Sequence, residues 1–163
     1  LKLTKLFRYT CKNSNTSTLK EECDFISNYL MLQQLRFDDR LYYKVSIEPE
    51  AEEVTVPKLF IQPLVENSIV HGMEPDESPI TITIKGEIIT NQKNKKCLKV
   101  VIQDDGLGFD KNKLDQLGNH VGLVNVENRL AFFHNQSTFQ IESKINKGTT
   151  CIITFPIEPK KEP

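Results

Sequence analysis

The sequence lacks several features that would place it in other protein classes. None of its 163 residues fall in an apolar run of roughly 18, the length needed to span a membrane. The formal net charge is −1 and there is no basic stripe, so no nucleic-acid partner is expected. The first residues show no signal peptide, and the absence of an initial Met suggests a piece of a longer protein.

The cysteines also lack a recognisable pattern. Cys11, Cys23, Cys97 and Cys151 have neither CxxC nor metal-ligand spacing. We therefore expect reduced thiols without an assigned function. The remaining composition, 38% hydrophobic and 26% charged, is ordinary for a soluble globular protein. The length allows one domain with an additional segment at one end.

That additional segment is predicted to be helical and to occupy residues 1–40. Thr18 and Glu21 form a capping-box pattern, followed by an amphipathic helix of about 18 residues that ends near Arg36. A shorter helix is predicted from Leu3 to Tyr9. The apolar positions of the longer helix recur at intervals near 3.6, at Leu19, Cys23, Ile26, Leu30 and Leu35.

Residues 41–157 alternate between strand and helix patterns. Leu41 to Ile47 reads as a strand, with Val54 to Val56 as a short partner. A helix is expected from Pro57 to His71, kinked at Pro63 and stopped by Gly72. The remaining predicted elements are strands Ile80 to Ile88 and Leu98 to Ile102, helices Asn112 to Leu117 and Gly122 to His134, and strands Phe139 to Ser143 and Thr149 to Phe155.

The sum of these elements predicts an α/β (α+β) two-layer sandwich. Its sheet is mixed but mostly antiparallel, its helices cover one face, and a helical linker precedes it. Residues 158–163 are predicted to be a disordered tail.

The first chemical motif is the segment IQPLVENSIVHG, from Ile61 to Gly72. At 100° per residue, Pro63, Asn67 and His71 share one narrow stripe of a helix. The Asn67 amide oxygen suits Mg²⁺ that carries nucleotide phosphates, although a capping or bridging role is the ordinary alternative. Glu66 could contact metal-bound water or simply be solvated.

The second motif is QDDGLGFD, from Gln103 to Asp110, directly after a predicted strand. The Asp104 carboxylate could accept a hydrogen bond from the exocyclic amine of adenine. Gly106 and Gly108 would let the backbone approach a flat ring and adopt positive φ. A tight turn without a ligand is the alternative, because Asp and Gly form turns in any case.

A third glycine-bearing segment, Gly118 to Gly122, leads into a predicted helix. Helix N-termini bind phosphates through their free N–H groups. Asn125 and Arg129 follow at helical spacing, and Arg129 could hold a phosphate or brace the helix. Thr149 begins the last strand, where its hydroxyl could reach a base or belong to an ordinary hairpin turn.

Together these motifs resemble the ATP-binding domain shared by gyrase, Hsp90, MutL and the histidine kinases, known as the Bergerat fold. IQPLVENSIVHG resembles its N box, DDGLG its G1 box, HVGLVN its G2 box and KGTT its closing Gly-Thr element. The segments Arg8-Tyr9, TLKEECDFISNYLMLQQLRFDDRL and NVENRL further resemble the LytS/YehU/YesM-type sensor histidine kinases. The resemblance runs from about Leu1 to Pro156.

The resemblance implies a site for ATP and Mg²⁺. Asn67 would ligate the metal, Asp104 would bind the adenine amine, and Asp110 to Val121 would form the ATP lid. It also implies residues 1–40 as the end of a dimerisation region, and residues 41–157 as the catalytic domain. The candidate ATP-binding residues are Asn67, His71, Asp104, Gly106, Gly108, Gly122, Leu123, Asn125, Arg129 and Thr149.

Three departures from the family pattern bear on activity. His120 stands where a lid glycine is common, and Pro63 stands where hydrolytic members carry a water-activating Glu. The family's phosphoacceptor His lies in an NPHFLFN-like segment that this sequence does not contain. His71, His120 and His134 are in other contexts, so no catalytic residue is assigned, and Glu66 stays a candidate.

The expected whole protein is a membrane-anchored bacterial sensor kinase with this domain in the cytoplasm. It would be a homodimer that phosphorylates its own upstream histidine and then a response regulator. Two alternatives remain at this point: a serine kinase of the anti-sigma-factor type, and a scaffold without catalysis. The linker helix disfavours the first, and intact Asn67, Asp104, Gly106 and Gly108 disfavour the second.

Overall fold

The computed structural model describes residues 9–10, 14–73, 78–110 and 121–157. The strands are β1 (Thr16–Thr18), β2 (Leu41–Ile47), β3 (Thr55–Pro57), β4 (Ile80–Thr90), β5 (Lys96–Asp104), β6 (Thr138–Lys144) and β7 (Gly148–Pro156). The helices are α1 (Leu19–Phe37), α2 (Pro49–Glu52), α3 (Gln62–Asn67) and α4 (Val121–Phe133). A 3₁₀ turn spans Asp38–Arg40, and a π-helical turn, Ser68–Met73, continues α3. Within these residues, no helix has the length and apolar composition needed to cross a bilayer.

The main sheet has five strands in the order β2-β4-β5-β7-β6. β2 and β4 are parallel, whereas the other neighbours are antiparallel. Alternate side chains of the central strands are buried, because successive residues of a strand point to opposite faces. The buried set includes Ile80, Ile82, Ile84, Leu98, Val100, Ile102, Cys151, Ile153 and Phe155. The predicted two-layer, mostly antiparallel α/β fold is confirmed.

Helix α1 begins with the predicted capping box. The Thr18 hydroxyl accepts from the Glu21 N–H, and the Glu21 carboxylate accepts from the Thr18 N–H. Leu19, Cys23, Ile26 and Leu30 are buried in the same core as the sheet, so α1 packs on the domain that it precedes. Leu35 is 81% exposed, so this one of the five predicted apolar positions does not face the core. The division at residue 40 therefore stays a prediction.

The short strand near Val56 has a different partner from the predicted one. β3 pairs with β1 in an antiparallel two-stranded sheet, and not with β2. The Leu19 N–H donates to the Val54 carbonyl at 2.9 Å and extends this ladder. Helix α2 turns the chain back toward the start of α1, whereas β2 pairs with β4 along its whole length.

Helix α3 and the π-helical turn that continues it, together called the N-box helix, also begin later than predicted. Pro57 ends β3, and Leu59 has φ of +59°, which a right-handed helix cannot accommodate. The helix therefore starts at Gln62. Pro63 lies in its first turn, where no intrahelical N–H bond is required, so the predicted kink has no cause. The helical turns continue through Gly72 to Met73, so Gly72 is not the stop.

The two hairpins and the last helix form where the sequence predicts them, with ends shifted by a few residues. The helix predicted at Asn112 to Leu117 and the tail at 158–163 lie outside the described residues. So does the helix predicted from Leu3 to Tyr9, apart from Tyr9 itself.

Candidate nucleotide-binding site

A cavity of about 280 Å³ lies between the N-box helix, the end of β5, the middle of β6, the start of β7 and the start of α4. Its walls are largely apolar, and its polar groups converge from the two main motifs. The lining residues are Leu64, Asn67, Ser68, His71, Gly72, Ile102, Asp104, Gly108, Phe109, Leu123, Ile141, Thr149 and Cys151. An apolar pocket with a few convergent polar groups is the usual form of a small-molecule site.

Asp104 is the most strongly fixed polar group of the cavity. It is only 4% exposed, and its Oδ2 accepts a hydrogen bond from the Ser68 hydroxyl at 2.7 Å. Its Oδ1 accepts from the backbone N–H groups of Gly106 at 3.0 Å and Thr149 at 3.2 Å. Burial raises the pKa of Asp104 and the nearby Asp105 charge adds to this, while the three hydrogen bonds lower it. A carboxylate so oriented is ready to accept one more donor from a ligand.

The glycines of the G1 turn pack against neighbouring backbone. A Cβ on Gly106 would lie 2.6 Å from the Gly72 carbonyl oxygen, so the turn sits directly on the end of the N-box helix. The Leu107 N–H donates to that same carbonyl at 3.0 Å. Gly108 has φ of +56°, and a Cβ there would collide with the Lys144 carbonyl. Both glycines thus shape the pocket through packing within the protein.

Asn67 and His71 both line the cavity, as their shared helical stripe predicts. Asn67 is half-buried, and its side-chain amide makes no hydrogen bond within the described residues. His71 is exposed at the cavity rim. The π-helical turn widens the helix at this point, a distortion common at functional sites.

Other predicted residues contact protein groups. Glu66 accepts a hydrogen bond from the Gln62 side chain at 2.7 Å. Arg129 Nη1 donates to the carbonyls of Lys58 at 2.8 Å and Leu59 at 3.0 Å, which favours the bracing role over a phosphate contact. Asn125 is exposed on α4 and does not line the cavity.

Leu123 and Thr149 do reach the cavity. Leu123 is buried there, in the first turn of α4 directly after Gly122. The Thr149 hydroxyl shares a hydrogen bond with Ser143 at 2.9 Å. The predicted lid is described only at its ends, since residues 111–120, with His120, lie outside the described residues.

Several residues in the cavity wall or directly behind it were not found from the sequence. Ser68 orients Asp104, and Ser143 accepts from the Phe109 N–H at 2.9 Å. Strand alternation could have found Ile102 and Cys151, which share a face with Asp104 and Thr149 respectively. Burial raises the pKa of the Cys151 thiol to about 12, so this side chain acts as an apolar wall. Among the described residues, Cys23, Cys97 and Cys151 are free thiols, as expected.

The chain matches two family models. Residues 53–159 match the histidine kinase-, DNA gyrase B- and HSP90-like ATPase family, and residues 1–41 match the histidine kinase family. It is 34% identical over 141 residues to the sensor histidine kinase YesM of Bacillus subtilis, covering 85% of this chain and 24% of YesM. It is 30% identical over 167 residues to the sensor protein kinase HptS of Staphylococcus aureus, covering 95% of this chain and 31% of HptS. The chain thus spans about a quarter to a third of the length of these relatives.

Solved structures share its fold. The histidine kinase domain of the Erythrobacter litoralis EL346 blue-light activated histidine kinase superposes with a TM-score of 0.64 at 15% identity, covering 96% of this chain and 71% of that one. The catalytic domain of histidine kinase ThkA superposes with a TM-score of 0.65 at 14% identity, covering 90% and 97%. The predicted relationship to sensor histidine kinases of the YesM type is confirmed. The chain belongs to the histidine kinase-, DNA gyrase B- and HSP90-like ATPase family, and within it to the ATP-binding domains of sensor histidine kinases.

Proposed function

We propose that the chain binds ATP together with Mg²⁺ and is the catalytic domain of a protein histidine kinase. The observation that carries this proposal is the Asp104 carboxylate, buried and held by three donors at the wall of an apolar cavity. Such a group can accept a hydrogen bond from the exocyclic amine of adenine. Leu64, Ile102 and Ile141 offer apolar contacts for the ring.

Asn67 is the proposed protein ligand of Mg²⁺. It lines the cavity, and its amide oxygen has no hydrogen-bond partner among the described residues; such an oxygen is a hard neutral donor suited to a cation that also binds phosphates. Among the described residues, no three His, Cys, Asp or Glu side chains cluster closely enough to hold a metal. This agrees with an ion shared between one asparagine, the nucleotide phosphates and water. The metal would supply charge neutralisation at the phosphates.

The residues around Asn67 favour transfer of the γ-phosphoryl group over hydrolysis. Pro63, one helical turn before Asn67, cannot deprotonate water. Asp104 is the only carboxylate among the described lining residues, and its proposed role is to accept from the adenine amine and not to deprotonate water. The acceptor is therefore proposed to be a side chain, namely a histidine upstream of this chain.

The whole protein is proposed to be a membrane-anchored homodimer whose partner is a response regulator. The match of residues 1–41 to the histidine kinase family supports this over a free-standing serine kinase. The sensor kinases among the relatives support it as well.

Calorimetric titration of the chain with ATP tests the pocket, and we expect micromolar affinity that weakens when Mg²⁺ is withheld. Asp104→Asn should weaken binding roughly 100-fold, since one carboxylate oxygen becomes an NH₂ group and a charge-assisted hydrogen bond is lost. Asp105→Asn is the matched control. Asp105 is exposed and accepts from the Thr81 N–H at 2.6 Å, so its variant should bind ATP within about twofold of the original.

A folded chain that gives no heat with ATP would disprove the nucleotide site. Equal affinities of the two Asp variants would disprove the adenine role of Asp104. The transfer step is tested on the longer protein with γ-labelled ATP. Acid-labile label on histidine supports the kinase proposal, whereas acid-stable label on serine supports the anti-sigma-factor alternative.

A further inference from the structure

Glu22, on the first turn of α1, is a buried acid outside the cavity. Its residue is 0% exposed, and its Oε1 accepts from the Tyr9 hydroxyl, from Ser17 Oγ at 3.3 Å and from the Leu59 N–H at 2.6 Å. Its Oε2 is buried and has no hydrogen-bond partner among the described residues. Burial raises the pKa of Glu22 despite its donors. A buried acid of this kind is costly, so its presence calls for an explanation.

Glu22 accepts a hydrogen bond from the backbone of a short loop, residues 58–59, that lies between β3 and the N-box helix. The Leu59 N–H faces Glu22, while the carbonyls of Lys58 and Leu59 accept from Arg129 at 2.8 and 3.0 Å. Leu59 has φ of +59°, a conformation that a leucine keeps only where its surroundings enforce it. Within the part of the chain that the structure describes, Glu22 and Arg129 are the side chains that bond to the backbone of this loop and clamp it.

The loop 58–59 connects three helices: the N-box helix that follows it in the chain, α4 through Arg129, and α1 through Glu22. The loop runs into Phe60 and Ile61, which are fully buried, and then into the helix that carries Asn67 and Ser68. Arg129 belongs to α4, which begins beside the predicted lid and places Leu123 in the cavity wall. Glu22 belongs to α1, in the linker. The clamp therefore connects the linker to two walls of the site.

We propose that Glu22 is a positioning residue for the nucleotide pocket, acting through the loop 58–59 that Arg129 clamps from α4. In this arrangement the placement of the N-box helix and α4 around ATP depends on the position of α1. The proposal rests on the ATP site proposed above, and assigns to that site a route by which the linker sets its affinity.

The test compares ATP affinities of two replacements of Glu22. Glu22→Met matches the side chain in length but cannot accept from the Leu59 N–H, and should weaken ATP binding about fivefold. Glu22→Gln keeps an acceptor oxygen and should bind within about twofold of the original. Asp24→Met, which changes an exposed acid on the same helix, is the control and should leave affinity unchanged.

A double-mutant cycle with Arg129→Ala separates positioning from general weakening. If both residues act through one loop, Arg129→Ala should also cost about fivefold, and the double variant should cost less than tenfold in place of about 25-fold. Multiplicative effects would overturn the proposal, because they would mean that Arg129 acts independently, for example on a phosphate. Equal loss in Glu22→Gln and Glu22→Met would overturn it too, since the acceptor would then be irrelevant.

Hydrogen exchange in the nucleotide-free chain makes the test independent of ATP. Glu22→Met should speed exchange of the α4 amides, whereas Glu22→Gln should not. Unchanged α4 exchange in Glu22→Met would refute the link even if ATP binds. If the original chain binds no ATP, the site proposal fails and exchange still decides the role of Glu22. Should Glu22→Met not fold, Glu22→Asp, which withdraws the acceptor by one methylene, replaces it in both measurements.

Discussion

Two buried carboxylates, Asp104 and Glu22, have similar hydrogen-bond donors but contact different parts of the molecule. Each accepts hydrogen bonds from side-chain hydroxyl and backbone N–H donors, and burial raises the pKa of each. Asp104 lines the cavity, where a ligand can add one more donor. Glu22, on α1, is enclosed against Tyr9 and the loop 58–59. A buried acid therefore indicates a constrained site, and only its surroundings distinguish ligand recognition from internal attachment.

The largest expected effect is on the stability of the fold beside Asp104, at the turn between β6 and β7. Gly148→Ala should destabilise the fold by roughly 3 kcal/mol, because Gly148 has φ of +83° and a Cβ there would collide with the Asp104 carbonyl. The free energy of unfolding in urea measures this. Gly86→Ala is the control, since its φ is not left-handed and its Cβ would meet side-chain atoms, Leu19 at 2.7 Å and Ile47 at 3.3 Å, and not backbone. Equal losses in the two variants would contradict the special role of the β6–β7 turn.

A smaller effect compares the hydroxyl donors of the two acids. Ser68→Ala removes the donor to Asp104, and Tyr9→Phe removes one donor to Glu22. Each should lower the free energy of unfolding by about 1 kcal/mol. Only Ser68→Ala should weaken ATP binding, by roughly fivefold, because the loop 58–59 stays bonded to Glu22 in Tyr9→Phe. Calorimetry that finds Tyr9→Phe the weaker binder would reverse this assignment.

The smallest effect is the pH dependence of stability. For both acids the folded-state pKa lies above the unfolded value, so between these values the folded chain binds more protons. The free energy of unfolding then falls as pH rises through that window, and the stabilisation is full only below the unfolded pKa. Glu22→Gln and Asp104→Asn should each flatten the slope. Urea unfolding at a series of pH values measures it.

Saturating ATP should separate the contributions of Asp104 and Glu22 to this pH dependence. A donor from adenine would favour ionised Asp104, so ATP should flatten the part of the slope that Asp104→Asn removes and leave the Glu22 part unchanged. The urea series repeated with ATP would show this. A slope that ATP leaves entirely unchanged would argue against a contact between Asp104 and the base.

Much of the fold could be predicted because its signals are local. Strand β2 has the predicted bounds, since its apolar residues alternate, and the α1 capping box needs only residues Thr18 to Glu21. Asn67, His71 and Asp104 were predicted to share a site, and they line one cavity. Their functional roles stay predictions until the titrations above are made.

The predictions that were wrong concern elements whose contacts come from segments far away in the sequence. Val56 follows a strand-like pattern, yet its partner lies in β1, about 40 residues earlier in the chain. Pro57 has the features of a helix start, but the left-handed Leu59 delays the helix to Gln62. Nothing local in the sequence marks Leu59, whose conformation is held by Glu22 and Arg129.

The sequence by itself determined the strand and helix periodicities, the family resemblance and the identity of the pocket motifs. The tertiary structure decided which carboxylate faces the cavity and which joins α1 to the loop 58–59. Ser68 reaches Asp104 across 36 positions of sequence, Leu59 reaches Glu22 across 37, and Arg129 reaches Lys58 across 71. Periodicity acts over a few residues, whereas these hydrogen bonds exist only after the packed core has brought distant segments together.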